Sequence, residues 1–335
     1  MVILKKPLQA RIIGLASYLP TRVLSNQDLE KLVDTSDEWI LTRTGMRERR
    51  LASEEEFAST MAVEAAREAL ADAKLTIDEI DLILVATMTP DYISPSTAVL
   101  VQTLLRANEI PAMDLSAACT GFIYSLAIAK ALIESGMYRN VLVIGAEKMS
   151  AFMDYEDRNT CVLFGDGASA VVVSDCGAGF LIEASHLGSD GDLSELIIIP
   201  GGGARHPATG ATIAQRLHYF KMNGKEVFKH AVRRAVSSSK QCLKQAQLQE
   251  SDLSWVVPHQ ANIRIIHAIG KALDISAERL FTTIEKTGNT SAASVGIALD
   301  HLVKMHEIEE GAHLLLVAFG GGLTWGAMIL TKVGR

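Results

Sequence analysis

The stretch Asp114-Leu-Ser-Ala-Ala-Cys-Thr-Gly121 joins an apolar, strand-like segment to a helical pattern. From Phe122 to Glu134 the chain is rich in alanine, leucine and isoleucine, and Gly136 follows as a helix stop. This pattern predicts a strand-to-helix turn with Cys119 at or beside the helix N-terminus. Free N–H groups and the helix dipole favour a thiolate there, so we expect a pKa lowered from about 8.5 toward neutrality. Cys119 is a candidate nucleophile, although most free cysteines are small buried hydrophobic residues.

Length and composition limit the classes of protein that this chain can represent. Its 335 residues, 48% hydrophobic and 21% charged, are typical of a globular protein with two domains or one duplicated domain. A net charge of −7 argues against nucleic acid and anionic membranes as partners. Because no apolar run follows Met1–Lys6, we expect no secretory signal, and the four cysteines are expected to be reduced thiols. The sequence therefore predicts a cytoplasmic protein.

Helical patterns alternate with uninterrupted apolar runs along the chain. Ala10–Tyr18, Asp81–Thr87 and Val141–Ala146 are predicted strands, and Ser59–Ala73 and Ser96–Arg106 are predicted helices. Apolar strands without a polar face are typical of a parallel sheet that is buried on both sides. The alternation predicts an α/β fold with a mostly parallel sheet.

The second half of the chain repeats the first. Asp81-Leu-Ile-Leu-Val resembles Asp252-Leu-Ser-Trp-Val, and Val141-Leu-Val-Ile-Gly resembles Leu314-Leu-Leu-Val-Ala. The Cys119 turn corresponds to the Thr290–Ser291 turn, and all three pairs are displaced by close to half the chain. A duplication explains this, so we expect two similar halves, residues 1–175 and 176–335, with the active site at their junction. Between them, the glycine-rich segment 188–217 is predicted to be a long surface excursion.

Polar residues recur at strand ends and turns of both repeats. His259 follows a predicted buried strand, Asn289 lies in the turn that matches the Cys119 turn, and three glycines end the segment Ala318–Gly322. A core histidine, a helix-capping asparagine and a glycine turn are the simpler explanations. Together with Cys119, however, these residues provide a Cys/His/Asn constellation and a backbone site for an oxyanion.

Two further segments have alternative explanations. Thr35-Ser-Asp-Glu38 predicts a helix with Thr35 as its N-cap. This helix places Trp39 and Arg43 on one face. The two side chains are either a stacked pair or a platform for a nucleotide. Basic residues recur every four positions, so we expect them to form a positive ridge along one face of a helix. This ridge is either a solvated helix face or a docking surface for an acidic protein. They are Lys221, Lys225, Lys229 and Arg233, with Arg264 and Lys271 beside them.

These motifs together resemble a known family. Ala118-Cys-Thr-Gly-Phe122, Pro258-His-Gln-Ala-Asn262, Gly288-Asn-Thr-Ser-Ala-Ala-Ser294 and Phe319-Gly-Gly-Gly322 are similar to signatures of β-ketoacyl-[acyl-carrier-protein] synthase III. The resemblance extends over essentially the whole chain. It implies the thiolase fold, a duplicated five-layer αβαβα architecture with two mixed sheets, in a homodimer. It also implies decarboxylative condensation of an acyl-CoA primer, expected to be acetyl-CoA, with malonyl-[acyl-carrier protein], through an acyl-Cys119 intermediate and without a metal or other cofactor.

The resemblance also implies roles for individual residues. Cys119, His259 and Asn289 would be catalytic, and the N–H groups of Cys119 and Gly321 would form the oxyanion hole. The acyl carrier protein would dock on Lys225, Lys229, Arg233, Arg264 and Lys271. Ser94 would border the acyl pocket across the dimer interface. Coenzyme A would be bound by Thr35, Trp39, Arg43, Arg158, Asn223, Gly224, Phe228 and Asn262.

Other activities predict different features. Thiolases need a second catalytic cysteine, but Cys161, Cys176 and Cys242 lie in no matching motif. A Cys/His/Asn hydrolase would use His259 to activate Cys119 and would release free acid from acyl-CoA. A catalytically silent acyl-binding protein would not need all three polar residues. The length and branching of the primer stay open.

Overall fold

A computed structural model of the protein describes residues 8–334, so the segment Met1–Lys6 lies outside the described part. The strands are β1 Arg11–Tyr18, β2 Arg22–Ser25, β3 Glu48–Leu51, β4 Leu82–Ala86, β5 Ala112–Leu115, β6 Asn140–Glu147, β7 Gly167–Ser174, β8 Gly179–Ser189, β9 Ile197–Ile198, β10 Lys221–Met222, β11 Leu253–Pro258, β12 His313–Gly320 and β13 Thr324–Val333. The helices are α1 Asn26–Leu29, α2 Asp37–Thr44, α3 Ala58–Ala73, α4 Thr97–Leu105, α5 Gly121–Glu134, α6 Gly210–Ala214, α7 Gly224–Ala246, α8 Ile263–Ala272, α9 Ile284–Thr287 and α10 Ser294–Met305.

The two halves of the chain form two sheets with the same order. In the first half the strands run β1-β7-β6-β4-β5, and in the second half they run β8-β13-β12-β11. A parallel bridge between Val256 and Leu280 stands where the second half would have the counterpart of β5. Both sheets are mixed, since β4 pairs in parallel with β5 and β6, and β11 with β12, while the other pairs are antiparallel.

The two sheets are joined at one point. Arg11 and Ile12 of β1 pair with Leu181 and Phe180 of β8, so the nine strands are hydrogen-bonded as one sheet in the described chain. The two predicted mixed sheets are therefore continuous through β1 and β8. The predicted division at residue 175 falls between β7 and β8, at the same junction.

Helices cover both faces of each sheet. Side chains of α5 and α10 share one apolar core with residues of β4, β6 and β7 on one side and of β11, β12 and β13 on the other. Helices α3 and α4 pack on the outer face of the first sheet, and α7 and α8 pack on the outer face of the second. Burial of apolar side chains on both faces explains the uninterrupted hydrophobic strands. The layers are αβαβα, so the predicted thiolase architecture is confirmed.

Most predicted elements are found within one or two residues. The N-cap of α2 differs from the prediction by one residue, since Ser36 rather than Thr35 is the N-cap and the Ser36 hydroxyl accepts the N–H of Trp39. The Thr35 hydroxyl is buried without a hydrogen-bond partner. Two adjacent residues that both favour the N-cap position explain the shift by one residue. Within residues 8–334, no helix combines the length and the apolar character needed to cross a membrane.

Candidate active site

Cys119 lies in a short 3₁₀ turn, Ala118–Thr120, between β5 and α5. Ala118 has a left-handed φ of 46°, which produces the sharp change of direction before the helix. A Cβ at Gly121 would lie 2.8 Å from the Cβ of Ala86, so only glycine lets α5 begin this close to β4. The predicted strand-to-helix turn with Cys119 beside the helix N-terminus is confirmed.

The protonation state of Cys119 differs from the expectation. Burial raises the pKa of the Cys119 thiol to about 12, and the charge of Glu147 adds to this effect. A hydrogen bond with the side chain of Ser291 acts in the opposite direction. The expectation of a pKa near neutrality is contradicted, because loss of hydration beside the apolar cavity outweighs the effect of the helix terminus. The resting group is a thiol, so its reaction requires removal of a proton.

His259 follows β11 and is buried at the junction of the two halves. Burial lowers the pKa of His259 to about 3, so the imidazole is neutral at physiological pH. Its Nδ1 lies 2.5 Å from the Ser294 hydroxyl, which also accepts the N–H of Gln260 at 3.5 Å. The Ser294 hydroxyl has one proton and two lone pairs, so it can also donate to Nδ1, an arrangement that corresponds to the tautomer with the ring proton on Nε2. The proton of the imidazole then lies on Nε2, where it is available to a substrate.

Asn289 is fixed by hydrogen bonds of both its backbone and its side chain. Its backbone N–H donates to Leu163 and its carbonyl accepts from Gly165, which fixes the chain beside Phe164. The side-chain Oδ1 accepts the N–H of Ser291 at 2.8 Å. Because Oδ1 is occupied in this way, the side-chain NH₂ is the part of Asn289 that is left to donate to a substrate.

An inner cavity brings these three residues together. Cys119, His259 and Asn289 all line a cavity of about 60 Å³ whose other walls are almost entirely apolar. Gly320 lines it as well, and a Cβ at this position would lie 2.8 Å from the backbone nitrogen of Cys119. Gly321 is the next residue in the chain and faces Ala118, and its assignment to the oxyanion hole stays a prediction. The apolar walls are Phe164, Ile197, Phe220, Met222, Val227, Ala231, Ala235, Ala261, Ile265, Ile269, Val317, Ala318 and Phe319.

A wider chamber of about 570 Å³ leads from the surface to this cavity. The two spaces share the walls Phe164, Met222, Val227, Ala261 and Ile265, and Asn289 lies where they meet. Five of the predicted coenzyme A residues line the chamber, namely Trp39, Arg43, Gly224, Phe228 and Asn262. The segment 188–217 contributes Ile197 to the inner cavity, so one part of the predicted surface excursion borders the site.

The other predicted coenzyme A residues lie next to the chamber without lining it. Arg158 donates to the carbonyl of Asp34 at 2.7 Å, and its guanidinium carbon lies 5.2 Å from the ring centroid of Trp39. Two stacked contacts of about 3.5 Å each need roughly 7 Å, so an adenine between the two side chains requires Arg158 to move outward. Asn223 caps α7 through the N–H of Glu226, and Thr35 precedes the cap of α2.

Basic residues surround the outer end of the chamber. Lys225, Lys229 and Arg264 line it, while Arg233 and Lys271 are exposed further along α7 and α8. Lys221 does not continue the ridge, because it belongs to β10 and its Nζ lies 3.8 Å from Asp154. The four-residue spacing of the basic residues applies only after α7 begins at Gly224.

Ser94 is exposed and lies outside both spaces, so its place at an acyl pocket stays a prediction. In residues 8–334, no group of three or more His, Cys, Asp or Glu side chains is arranged to hold a metal ion.

Sequence reasoning missed Ser291 and Ser294, although both lie in the Gly288–Ser294 motif. It also missed Glu147. This charged residue stands at the end of an apolar strand, and a polar side chain at a strand end was the signal that identified His259.

Comparisons with known proteins show which family the chain is similar to. Models of 3-oxoacyl-[acyl-carrier-protein] synthase III match residues 113–191, and models of its C-terminal region match residues 243–332. β-Ketoacyl-[acyl-carrier-protein] synthase III of Chlamydia caviae is 54% identical over 330 residues, which cover 98% of each chain. The crystal structure of the Aquifex aeolicus synthase III is 49% identical with a TM-score of 0.89, over 96% of this chain and 100% of that one. The Thermus thermophilus structure is 41% identical with a TM-score of 0.90, over 97% and 100%. The chain therefore belongs to the β-ketoacyl-[acyl-carrier-protein] synthase III family, the condensing acyltransferases that initiate fatty acid synthesis.

Proposed function

We propose that Cys119 accepts the acyl group of an acyl-CoA and presents it for condensation with malonyl-[acyl-carrier protein]. The observation that carries the proposal is that Cys119, His259 and Asn289, although distant in sequence, line one apolar cavity. That cavity lies at the inner end of a chamber wide enough for an extended ligand. A pantetheine arm that enters past Trp39 and Phe228 would place its thioester next to the thiol.

In the first step, the sulfur of Cys119 attacks the thioester carbon of the acyl-CoA. The oxygen of that carbonyl becomes negatively charged and needs N–H donors at a fixed distance. The backbone N–H groups of Cys119 and Gly321 are the proposed donors, because the chain after β12 packs directly against the Cys119 turn. Coenzyme A then leaves, and the acyl group remains on Cys119 as a thioester.

In the second step, malonyl-[acyl-carrier protein] loses CO₂, and negative charge develops on its thioester oxygen. A neutral His259 in the tautomer with its proton on Nε2 and the NH₂ of Asn289 are the two proposed donors, because both residues line the cavity. Loss of one donor of this kind typically lowers the rate by about 10²–10³-fold. The carbanion attacks the acyl-Cys119 carbonyl, and the 3-oxoacyl-[acyl-carrier protein] is released. The reacting groups are all supplied by the chain and its substrates, and coenzyme A takes part as a substrate rather than a cofactor.

The size of the inner cavity supports acetyl-CoA as the primer. A cavity needs about 10–15 Å³ of this kind of volume for one water molecule, so 60 Å³ holds roughly four to six. That space accommodates an acetyl group and few additional methylenes in this single chain. Ser94, contributed by a second copy of the chain, is proposed to complete the acyl pocket.

A homodimer is proposed from the surface beside β5. This strand is the edge of its sheet, and edge strands without a partner invite pairing. Ile93 is 89% exposed and Tyr92 is 60% exposed, and both precede Ser94 at this side of the molecule. Met113 of β5 adds another exposed apolar side chain. An apolar edge of this kind is expected to be covered by a second copy of the same chain.

The proposed partner at the chamber entrance is an acyl carrier protein. Lys225, Arg233 and Arg264 form no ion pair among the described residues, so their charges are available to an acidic surface.

We also propose a cytoplasmic location, because the four cysteines are free thiols.

Separate half-reactions test the proposed function. With acetyl-CoA alone, one acetyl group should be found by peptide mass analysis on Cys119, and Cys119→Ser should abolish the transfer. His259→Ala and Asn289→Ala should still be acetylated, but decarboxylation and condensation should fall by about 10²–10³-fold. Labelling at Cys161 or Cys242 would contradict the assignment of the nucleophile.

The same measurements discriminate a hydrolase. If His259→Ala prevents acetylation while Asn289→Ala decarboxylates normally, His259 is a general base for Cys119. Acetate rather than acetoacetyl-[acyl-carrier protein] would then be the product. The low pKa of His259 leaves it unprotonated but makes it a weak base, so the separate half-reactions decide between the two roles.

A further inference from the structure

A carboxylate lies buried at the end of β6, next to the turn that carries Asn289. The side chain of Glu147 is fully buried, and in residues 8–334 it takes part in no ion pair. A buried carboxylate of this kind is costly unless hydrogen bonds satisfy it. Its two oxygens accept from the N–H groups of Met88, Thr89 and Ala292 and from the hydroxyls of Thr87, Thr89 and Ser291.

These donors come from two segments that are distant in sequence. Oε2 faces the segment after β4, where the Thr89 hydroxyl donates at 2.6 Å. Oε1 faces the turn after α9, where the Ser291 hydroxyl donates at 3.0 Å and the Ala292 N–H at 3.4 Å. Glu147 therefore joins the end of β4 to the turn that contains Asn289.

Ser291 connects this carboxylate to the amide of Asn289. Its backbone N–H donates to Oδ1 of Asn289 at 2.8 Å, while its hydroxyl donates to Glu147. Ser291 has a left-handed φ of 47°, which is uncommon for a residue with a Cβ and persists only where the surrounding structure holds it. The bond to Glu147 holds Ser291 in the conformation in which its N–H reaches Asn289.

The orientation of the Asn289 amide determines which atom a substrate meets. In residues 8–334, the Ser291 N–H is the one group hydrogen-bonded to this side chain, and it fixes Oδ1. If the amide turned over, its oxygen would replace the NH₂ and would repel the negative oxygen that develops in decarboxylation. The position of Ser291 therefore matters to the chemistry of Asn289.

The duplication shows why the acid stands on one side only. Glu147 ends β6, and Gly320 ends the corresponding strand β12. Gly320 packs against the Cys119 turn, and Glu147 packs against the equivalent turn at Ser291 and Ala292. The glycine leaves space for the nucleophile in one half, whereas the other half keeps an acid at the same structural position.

The two turns differ in the same way at their first residue. Ala118 and Ser291 each begin a 3₁₀ turn, and their φ values are 46° and 47°. The turn of the nucleophile has an alanine there, which has no hydroxyl to bond. The turn of Asn289 has a serine, and the strand end beside it has the carboxylate that accepts from that serine. In the described chain, neither the cavity nor the chamber is lined by Glu147 or Ser291, so any effect on the substrate is indirect.

We propose that Glu147 is a positioning residue for decarboxylation, because through Ser291 it holds the Asn289 amide with its NH₂ toward the thioester oxygen of the malonyl group. This inference rests on the proposed function, in which Asn289 is a donor to that oxygen. Glu147 itself transfers no proton and contacts no substrate.

Two variants break the connection at different points. Glu147→Gln replaces one acceptor oxygen by an NH₂ group, which must then face hydrogen-bond donors. Ser291→Ala removes the connecting hydroxyl and keeps the backbone N–H. In each variant, decarboxylation of malonyl-[acyl-carrier protein] by the acetylated protein should fall about tenfold to a hundredfold, since a misplacement of about 1 Å can lower a rate 10²-fold. The loss should appear in kcat, with KM unchanged.

Acetylation of Cys119 by acetyl-CoA should keep its wild-type rate in both variants, because Asn289 is not used in that step. Burial raises the pKa of the Cys119 thiol and the charge of Glu147 adds to this effect, so removal of the charge should not hinder the thiol. The split between the two half-reactions distinguishes a displaced amide from a general loss of structure.

A double-mutant cycle tests whether Glu147 acts through the amide. In an Asn289→Ala background, Glu147→Gln should cause little further loss of decarboxylation, because no amide remains to be positioned. A residue that only supports the fold would lower the rate by the same factor with or without the amide. Thermal unfolding of the four proteins shows that each is folded.

Ser169→Ala is the matched control. The Ser169 hydroxyl is buried in β7 and donates to the carbonyl of Ala293 at 3.2 Å, so it bonds to the same turn from the neighbouring strand. This bond involves neither Glu147 nor Asn289. The variant should therefore decarboxylate at the wild-type rate.

The outcomes are distinct. Normal decarboxylation in Asn289→Ala contradicts the proposed function of the amide itself. Slow decarboxylation in Asn289→Ala with a normal rate in Ser291→Ala contradicts the positioning role alone, and this variant decides the matter if Glu147→Gln does not fold. An equal loss in Ser169→Ala, or the same effect of Glu147→Gln in both backgrounds, would overturn the proposal and leave Glu147 as support for the turn.

Discussion

Replacement of Gly320 by alanine tests the close contact between β12 and the nucleophile turn. Gly320 is buried and does not have a positive φ, so alanine is acceptable to its backbone conformation. The new Cβ, however, would lie 2.8 Å from the Cys119 nitrogen and 3.0 Å from its Cβ. Both contacts involve atoms that cannot rotate away, so either the turn or the strand must move.

The size of that movement follows from the contact distances. Ordinary contacts of a Cβ begin at 3.4 Å, so the Cys119 backbone must shift by about 0.6 Å. A misplacement of about 1 Å can lower an enzymatic rate 10²-fold, so we expect a loss of between tenfold and a hundredfold in acetylation. Overpacking of a well-packed core typically destabilises by about 1–3 kcal/mol, which should appear as a lower midpoint of thermal unfolding.

The assay is single-turnover acetylation measured beside thermal unfolding. Gly167→Ala is the matched control, because that buried strand glycine would meet the flexible end of Leu19 at 3.0 Å, away from Cys119. The control should lose stability but keep its acetylation rate. Full acetylation in Gly320→Ala, with the protein folded, would refute the argument that this glycine is needed by the nucleophile.

Three other predictions follow from the site and the surface. Because the pKa of His259 is about 3, decarboxylation by the acetylated protein should stay within about twofold from pH 8 to pH 5; a steep fall near pH 6.5 would contradict a neutral histidine. Arg233→Glu combined with Lys271→Glu, both outside the chamber, should slow condensation with malonyl-[acyl-carrier protein] but not acetylation by acetyl-CoA, and the difference should shrink as salt rises. Equal losses in both reactions would show that the basic ridge is structural. Ile93→Asp should convert the proposed dimer to a monomer in sedimentation analysis, and an unchanged dimer would place the interface elsewhere.

The sequence predicted the fold well because its strongest signals are local and repeated. Apolar strands such as Leu82–Ala86 are buried on both faces, and their pattern recurs in Leu253–Pro258 half a chain later. The bounds of α5 followed from its composition and from Gly136, which has the left-handed φ of a helix stop. The junction between β1 and β8 could not be predicted, since a two-residue pairing leaves no pattern in either strand.

The sequence predicted that Cys119, His259 and Asn289 come together, but it did not predict the electrostatics of the cavity that they line. A turn before a helix can be recognised from sequence, but the burial of Cys119 depends on packing between both halves of the chain. That burial reverses the expected direction of its pKa shift. The same limit applies to Glu147, whose donors come from two segments more than fifty residues away on either side. The hydrogen-bonding environment of such a group forms only when the two halves pack together, so it cannot be predicted from the sequence.

The difference between the ends of β6 and β12 has an evolutionary consequence. In an ancestor assembled from two identical half-length chains, each strand end would have carried the same residue, because one gene encoded both. Glycine beside the nucleophile and glutamate beside the opposite turn could then not coexist. Once both copies were encoded in one reading frame, each strand end was free to mutate alone. One copy could specialise in holding the reactive sulfur while the other supplied the groups that act on it.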